Sequence, residues 1–276
     1  MYSQTDFHAL LNPEPTGEQT FQGGSIPMDS PSIYGGQLMA QALSVAAATL
    51  GQPRPVHHMQ TNFLAFGDPK GKLDFEVINV RDGKSTSHRQ VLLRQDGRIL
   101  LTASLSFQQM SNGYSHQVEM PKVTPPEKLF GRELDFSSEN EGQFPFIILN
   151  CPADGSENEP VSAVWAKPRE TVPDEELLQQ QLFIFFSDAT ILQSALQPHD
   201  LKWDEPGLSV ATMNHAIWFH RPLDINDWVL FHSESPSTNA GRALSIANAF
   251  SATGSMVATV AQEGLMRLST PDSALA

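Results

Sequence analysis

Asp-Gly-Arg-Ile-Leu-Leu-Thr-Ala-Ser-Leu-Ser-Phe at 96–107 and Thr-Gly-Ser-Met-Val-Ala-Thr-Val-Ala-Gln-Glu-Gly at 253–264 repeat one pattern, 157 residues apart. Gly97 matches Gly254, and Thr102 matches Thr259. In both copies a turn glycine precedes alternating apolar residues, the pattern of a half-buried strand. The residues predicted to face inward are Ile99, Leu101, Ala103, Leu105 and Phe107 in the first copy, and Met256, Ala258, Val260 and Gln262 in the second. The chain is therefore a duplication.

Gln262 takes the position that Leu105 holds in the first copy. An amide on a face that is otherwise apolar costs desolvation free energy unless a hydrogen bond compensates it. Gln262 is therefore the first candidate functional residue.

The elements around these strands follow the same order in both halves. In the first half Gly35 and Gly36 precede a helical stretch of small and apolar residues that Gly51 closes, and this composition predicts a helix enclosed by protein. Strands follow at about 57–66, 72–80, 86–95 and 98–108. In the second half a short helix precedes residues 187–196, which match the first buried helix at an offset of 153 and place Asp188 opposite Gly35, at a helix start. The later strands are predicted at about 208–222, 227–235, 241–251 and 255–267.

This order predicts an α+β fold. Two helix-plus-antiparallel-sheet units can pair edge to edge into one continuous curved sheet around two buried helices, which removes exposed sheet edges. This is the double hotdog arrangement. We predict an N-terminal unit at 1–110, a connecting segment at 111–172 with polar, turn-rich stretches at 137–143 and 154–160, and a C-terminal unit at 173–276.

Bulk composition excludes several classes of partner. The 276 residues carry a net charge of −14, which repels nucleic acid and anionic membrane surfaces. The single cysteine, Cys151, excludes an internal disulfide framework, and the apolar run at 182–186 is far too short to cross a bilayer. With neither the basic nor the apolar region of a signal peptide at its start, the chain is predicted to be soluble and cytoplasmic.

Common catalytic and cofactor motifs do not occur in the sequence, including the nucleophile elbow, glycine-rich phosphate loops and the His-Glu-x-x-His zinc motif. His57 and His58 would point to opposite faces of a strand, and His215 and His220 also diverge. We assign structural roles to both pairs and expect neither a metal nor a cofactor.

Three polar residues stand out by position. Each has an ordinary interpretation: Asp188 as a first-turn carboxylate, Thr212 as a β-branched strand residue, and Gln262 as a satisfied core amide. Together they supply a carboxylate that can take a proton from water, and a hydroxyl and an amide that can hold that water. Such a set suits hydrolysis without a covalent intermediate.

Several blocks of sequence carry a family resemblance. In the first half they are Tyr-Gly-Gly-Gln-Leu-Met-Ala-Gln-Ala-Leu at 34–43, Asn-Phe-Leu at 62–64, Gly-Asp at 67–68, Arg-Asp-Gly-Lys-Ser at 81–85 and Ala-Ser-Leu-Ser-Phe at 103–107. In the second half they are Ser-Asp at 187–188, Ala-Leu-Gln-Pro-His at 195–199, Asn-His-Ala-Ile-Trp-Phe-His-Arg-Pro at 214–222 and Gln-Glu-Gly-Leu-Met-Arg at 262–267. Through them the chain resembles the acyl-CoA thioesterase II family over most of its length, most weakly at 109–172.

The resemblance implies that Asp188, Thr212 and Gln262 activate a water against a thioester carbonyl, so that fatty acyl-CoA is hydrolysed to fatty acid and coenzyme A. It also implies a homo-oligomer, a dimer or tetramer of double hotdogs, in fatty acid metabolism. A backbone N–H near a helix start would bind the oxyanion. The predicted substrate-binding residues are Gly35 and Gly36 at a helix start, Met39, Phe63 and Leu64 along the acyl chain, and Arg81, Lys84 and Arg89 at the nucleotide.

The chain departs from the family pattern at three places. Asn214 replaces the acid of Asp-His-(Ala/Ser)-(Met/Ile)-Trp, Ala65 and Phe66 replace Arg-Pro, and Gln60 replaces a histidine. By analogy these positions surround the acyl or coenzyme A channel and bear on substrate range.

Two alternative functions remain. Hotdog hydratases and dehydratases act on enoyl or 3-hydroxyacyl thioesters with a histidine paired to an acid near the helix, and the sequence predicts no histidine beside Gly35 or Asp188. The other alternative is a non-catalytic acyl-CoA binding protein. The complete Asp, Thr and Gln set weighs against it.

Overall fold

The computed structural model describes residues 4–26, 28, 31–129, 131–134, 136, 144–151 and 159–268. Of the two polar stretches predicted in the connecting segment, all of 137–143 and residues 154–158 of 154–160 lie outside the described residues. The first half contains α1 (Gln4–Leu10), β1 (Glu14–Pro15), β2 (Thr20–Gly23), α2 (Gly35–Ala48), β3 (Val56–Phe63), β4 (Leu73–Asp82), β5 (Thr86–Gln95) and β6 (Arg98–Gln108). The second half contains β7 (Phe146–Cys151), β8 (Val161–Pro168), α3 (Glu176–Ser187), α4 (Gln193–Leu196), β9 (Leu208–Phe219), β10 (Val229–Asn239), β11 (Arg242–Ser251) and β12 (Met256–Leu268). Short 3₁₀ helices occur at Pro126–Lys128 and Gln197–His199.

The strands of the described residues form one antiparallel sheet of 12 strands in the order β1-β2-β4-β5-β6-β3-β9-β12-β11-β10-β8-β7. The two halves of the sheet have the same strand order when each is followed from its edge to the centre. Strands β2, β4, β5, β6 and β3 of the first half correspond to β8, β10, β11, β12 and β9 of the second. The two halves join through β3 and β9, with His58 paired to Trp218 and Asn62 to Asn214. The predicted α+β double hotdog is confirmed, and strand pairing at this seam replaces two exposed edges.

Matching bulges mark the duplication in detail. Leu93 pairs with Leu101 but Arg94 with Ile99, so Leu100 is an extra residue. In the second copy Val257 is the extra residue, again 157 positions later. A bulge changes which face the preceding side chains take. The predicted inward positions of Ile99 and Met256 are therefore wrong: Met256 packs into a smaller cluster around Trp165, Leu230 and Phe250.

The buried helices differ from the prediction in the second half. Residues 36–46 of α2 are all buried, as predicted, and α2 packs against α3 inside the curved sheet. The main buried helix of the second half is Glu176–Ser187, whereas the segment predicted to be one helix, 187–196, contains a turn at 188–192 and then the four-residue α4. Asp188 is thus the C-cap of α3, not a helix start.

Residues 146–168 add β7 and β8 to the sheet next to β10, within the segment that the sequence analysis treated as a connection. The division into 1–110, 111–172 and 173–276 stays a prediction. Among the described residues, no helix combines the length and apolarity needed to cross a bilayer.

Candidate active site

The structure brings the three candidate residues together near the middle of the β9–β12 pair, on its inner face. The hydroxyl of Thr212 lies 3.1 Å from Oδ1 of Asp188, and Nε2 of Gln262 lies 2.9 Å from the same hydroxyl. A carboxylate only accepts hydrogen bonds, so Thr212 donates to Asp188 and accepts from Gln262. Asp188 and Thr212 are half-buried, while Gln262 is buried. The chain of bonds therefore runs from the interior to a partly open carboxylate.

A β-bulge aims Thr212 at this site. Glu263 pairs with Asn214 but Gly264 pairs with Thr212, which leaves Met213 as the extra residue. In a regular strand Thr212 would share the outer face of Asn214, because side chains alternate. The bulge turns it to the inner face, beside Gln262. A Cβ on Gly264 would stand 2.6 Å from a side-chain carbon of Leu192, so Leu192 can pack here only because Gly264 has no side chain.

Asp188 is held between two helix ends. It caps the C-terminus of α3, and its Oδ2 lies 2.7 Å from the point where a Cβ on Gly35 would stand. Gly35 is the first residue of α2, whose N-terminus has no side-chain cap. The positive end of the α2 dipole therefore faces the carboxylate. Asp188 therefore does not begin a helix, as predicted, but lies beside the start of α2.

Tyr34 fixes this junction between the two helices. Its hydroxyl donates to the backbone oxygen of Phe185 over 2.7 Å. Burial, together with the negative charge of Asp188, raises the pKa of Tyr34 well above its ordinary value, so the residue stays a neutral donor. A Cβ on Gly36 would stand far inside contact distance of the same Phe185 oxygen. Glycine at this position is what lets the start of α2 meet the end of α3.

His215 is a site residue that the sequence analysis missed. It is 1% exposed, its Nδ1 contacts Oε1 of Gln262, and its Nε2 lies 3.1 Å from the Ser187 hydroxyl. Burial lowers the pKa of His215, while the charge of Asp188 and the hydrogen bond to Gln262 oppose that shift. The expectation that no histidine lies beside Asp188 is therefore corrected. Both ring nitrogens of His215, however, contact Gln262 and Ser187 rather than an acid.

The strand pairing of the two copies is the signal that could have identified His215 as a site residue. Gln262 pairs with His215 across β12 and β9, and Leu105 pairs with Met59 across β6 and β3. An inward apolar pair in the first copy is thus replaced by an inward polar pair in the second.

The predicted acyl-binding residues occupy different environments. Met39 is fully buried on the face of α2 that begins at Gly35. Phe63 is half-buried, with its ring 3.2 Å from the Cβ position of Gly35, which places it beside Asp188. Leu64 is 59% exposed.

The predicted nucleotide-binding cations lie at the other end of α2. Arg81 and Lys84 are exposed near the β4–β5 turn. Arg89 is fully buried, and its guanidinium donates to both oxygens of Asp82, to Thr49 and to the backbone oxygens of Arg81 and His88. Thr49 is the C-cap of α2. The assignment of Arg89 to phosphate binding is therefore corrected: its donors hold the hairpin to the end of α2.

Two of the departures from the family pattern face away from this site. Asn214 donates to Glu263 on the outer face of the sheet, and Gln60 is exposed on the neighbouring strand. Their place around the acyl or coenzyme A channel stays a prediction. In the part of the chain that the structure describes, His, Cys, Asp and Glu side chains form no group of three that could ligate a metal.

The fold and this polar cluster define a double hotdog enzyme. Residues 136–265 match the acyl-CoA thioesterase family, and residues 24–108 match the acyl-CoA thioesterase N-terminal domain. The chain is 33% identical to acyl-CoA thioesterase 2 of Haemophilus influenzae, over 94% of this chain and 96% of that protein. It is 30% identical to mouse acyl-coenzyme A thioesterase 8, over 94% and 88% of the two chains.

Among solved structures, acyl-CoA thioesterase II TesB2 from Mycobacterium marinum superposes with a TM-score of 0.82 at 32% identity, covering 95% of this chain and 98% of that one. The chain belongs to the acyl-CoA thioesterase II family and is a thioester hydrolase. The hydratase alternative is not favoured by these relatives.

Proposed function

We propose that the protein hydrolyses fatty acyl-CoA to free fatty acid and coenzyme A, with Asp188 as general base and with Thr212 and Gln262 holding the water. The observation that carries this proposal is the hydrogen-bonded chain Gln262–Thr212–Asp188. Thr212 bonds Oδ1, so Oδ2, which faces Gly35, is the oxygen that takes the proton. The amide nitrogen of Gln262 gives one N–H to Thr212, and its second N–H is directed to the water.

The reaction needs no covalent enzyme intermediate. The water oxygen attacks the thioester carbonyl carbon while Asp188 takes its proton. The tetrahedral intermediate then expels the thiolate as the carbon–sulfur bond breaks, and Asp188 returns the proton to that sulfur. The products are a fatty acid and coenzyme A.

The oxyanion is assigned to the first turn of α2. N–H groups in the first turn of a helix have no partners within the helix, and the helix dipole favours negative charge there. The earliest backbone hydrogen bond into α2 is from Leu38 to Tyr34, and no side chain caps this end. The same turn borders Asp188 through Gly35, so attacking water and carbonyl would meet between them.

The two ends of the substrate would lie at opposite ends of α2. Phe63 and Met39 near Gly35 suit the acyl chain, whereas Arg81 and Lys84 are exposed cations near Thr49. A helix of 14 residues is about 20 Å long, and this is the distance that the extended pantetheine arm of coenzyme A would have to span. In a chain of net charge −14, a local basic patch is needed to attract phosphates.

Asp188→Asn tests the proposal directly. Asparagine keeps the size of the side chain and an oxygen for Thr212, but it cannot take a proton. Turnover should fall by about 10²- to 10⁴-fold, the usual contribution of a general base. The matched control is Asp200→Asn at an exposed turn, where φ is 53° and asparagine fits. Thiol release from acyl-CoAs of several chain lengths measures both. Undiminished hydrolysis by Asp188→Asn would refute the role.

We further propose that the protein acts in the cytoplasm as a homo-oligomer in fatty acid metabolism. The single cysteine suits a reducing compartment, and self-association is what the family resemblance implies. Light scattering on the purified chain measures the oligomeric state.

A further inference from the structure

The directions of the hydrogen bonds in the site can be followed from the carboxylate inward. Asp188 accepts from Thr212, so Thr212 has no proton left for Gln262 and must accept from Nε2. The amide oxygen of Gln262 then faces His215, and Nδ1 of that ring must carry a proton. Each donor from His215 onward thus points towards Asp188.

The other side of the His215 ring is also engaged. Nε2 lies 3.1 Å from the hydroxyl of Ser187, the residue before Asp188, and that hydroxyl also lies 2.9 Å from the backbone oxygen of Ile184. A hydroxyl has one proton, and Ser187 gives it to the Ile184 oxygen, so Ser187 does not set the tautomer of His215. The tautomer is set on the other side of the ring, where the Gln262 oxygen requires the proton on Nδ1.

Burying a histidine at this position costs desolvation free energy, and packing of the strand pair does not require it. The equivalent pair in the first copy, Met59 and Leu105, is apolar and 1% exposed at each residue. The same strand pairing therefore folds and packs without polar groups. In the second copy both members of the pair are polar, so Gln262 and His215 depend on one another.

We propose that His215 is a positioning residue that fixes the orientation of the Gln262 amide. Without a donor at Nδ1, the amide can rotate and present its oxygen to Thr212. Thr212 would then donate to Gln262 instead of Asp188, and the second N–H would no longer face the water. This inference rests on the proposed function, because the affected step is attack of the water.

Four substitutions separate this role from a packing role. His215→Met copies the first-copy residue and removes the donor. His215→Asn places an amide nitrogen as many bonds from Cα as Nδ1 of the histidine, so it can replace the lost donor. His215→Gln places its amide nitrogen as many bonds from Cα as Nε2, which does not face Gln262. Gln262→Leu copies Leu105, and the double variant with His215→Met reproduces the whole apolar pair. Thermal unfolding of each variant checks that the fold is kept.

We expect His215→Met to lower kcat by about 10- to 100-fold, the scale of a misplaced catalytic group, with KM nearly unchanged. His215→Asn should recover most of the lost turnover and His215→Gln should not. Adding His215→Met to Gln262→Leu should cause no further loss, because both act through one amide.

Asp188→Asn is measured alongside to separate two failures. Full activity of Asp188→Asn would refute the proposed function itself. If Asp188→Asn is inactive, three results each overturn the positioning role and leave the proposed function intact: wild-type kcat in His215→Met, equal recovery by the asparagine and glutamine variants, or multiplicative losses in the double variant.

Discussion

Gly35 and Gly36 at the start of α2 contact different groups, so substitution by alanine should lower activity at Gly35 and stability at Gly36. A Cβ at Gly35 would stand 2.7 Å from Oδ2 of Asp188, whereas ordinary contact begins at 3.4 Å, so the carboxylate must move by about 0.7 Å. A side-chain carboxylate can move this far. Displacement of a reacting group by about 1 Å can cost about 10²-fold in rate. We therefore expect Gly35→Ala to lower kcat by about 10- to 100-fold.

Stability should respond in the opposite order. The Cβ of Gly36→Ala would meet the backbone oxygen of Phe185, which moves only if α2 and α3 separate. Overpacking of this kind costs about 1–3 kcal/mol, and about 1 kcal/mol of that is regained from the helix propensity of alanine. The clash is with backbone, so we expect a net loss near 2 kcal/mol, or about 4–8 °C in Tm.

The assay combines thiol release with thermal unfolding for Gly35→Ala, Gly36→Ala and Gly51→Ala. Gly51 is exposed, with open space at its Cβ position, and its alanine variant should match the wild type in both measurements. The reasoning fails if Gly35→Ala keeps its kcat, or if it loses more stability than Gly36→Ala.

Two further predictions concern buried charge. Arg89→Leu removes the guanidinium donors from the backbone oxygens of Thr49, Arg81 and His88, and we expect a loss of about 2–4 kcal/mol in the free energy of unfolding by urea. Folded Arg89→Leu should keep the wild-type KM for acyl-CoA. The double variant Arg81→Ala with Lys84→Ala should raise KM severalfold. A raised KM in Arg89→Leu alone would contradict the structural role of Arg89. Because burial lowers the pKa of His215, the unfolded chain takes up the proton first as pH falls below 6.5, and the folded state loses stability there. The free energy of unfolding of His215→Met should therefore fall less than that of wild type between about pH 7 and pH 5, by at most about 1.4 kcal/mol per pH unit. Urea unfolding at each pH measures this, and parallel pH profiles of the two proteins would contradict it.

The parts of the fold that the sequence predicted are those with a repeating pattern. Turn glycines with positive φ, Gly97 and Gly254, precede β6 and β12, and alternating residues marked these strands. The mostly small and apolar composition of α2 predicted its burial. Gln262 could be found because its counterpart in the first copy, Leu105, is apolar.

The main errors come from features that leave no periodic mark. An enclosed helix has no exposed polar face whose periodicity would mark its ends, so the break at Asp188 between α3 and α4 was not predicted. The bulge at Met213 reverses the facing of Thr212, yet no glycine signals it. Arg89 was assigned to nucleotide binding because it belongs to a cluster of cations with Arg81 and Lys84, and only the hairpin geometry shows that Arg89 is buried with its five donors engaged.

The polar pair of His215 and Gln262 occupies one of two equivalent places in the molecule, and Met59 and Leu105 fill the other. A duplicated ancestor with identical halves could have carried a reactive centre in each. With one proposed site per chain, the number of reactive centres in any assembly equals the number of polypeptides, not the number of hotdog units. The first unit contributes the glycine start of α2, whose N–H groups are proposed to bind the oxyanion, to the centre of the second unit.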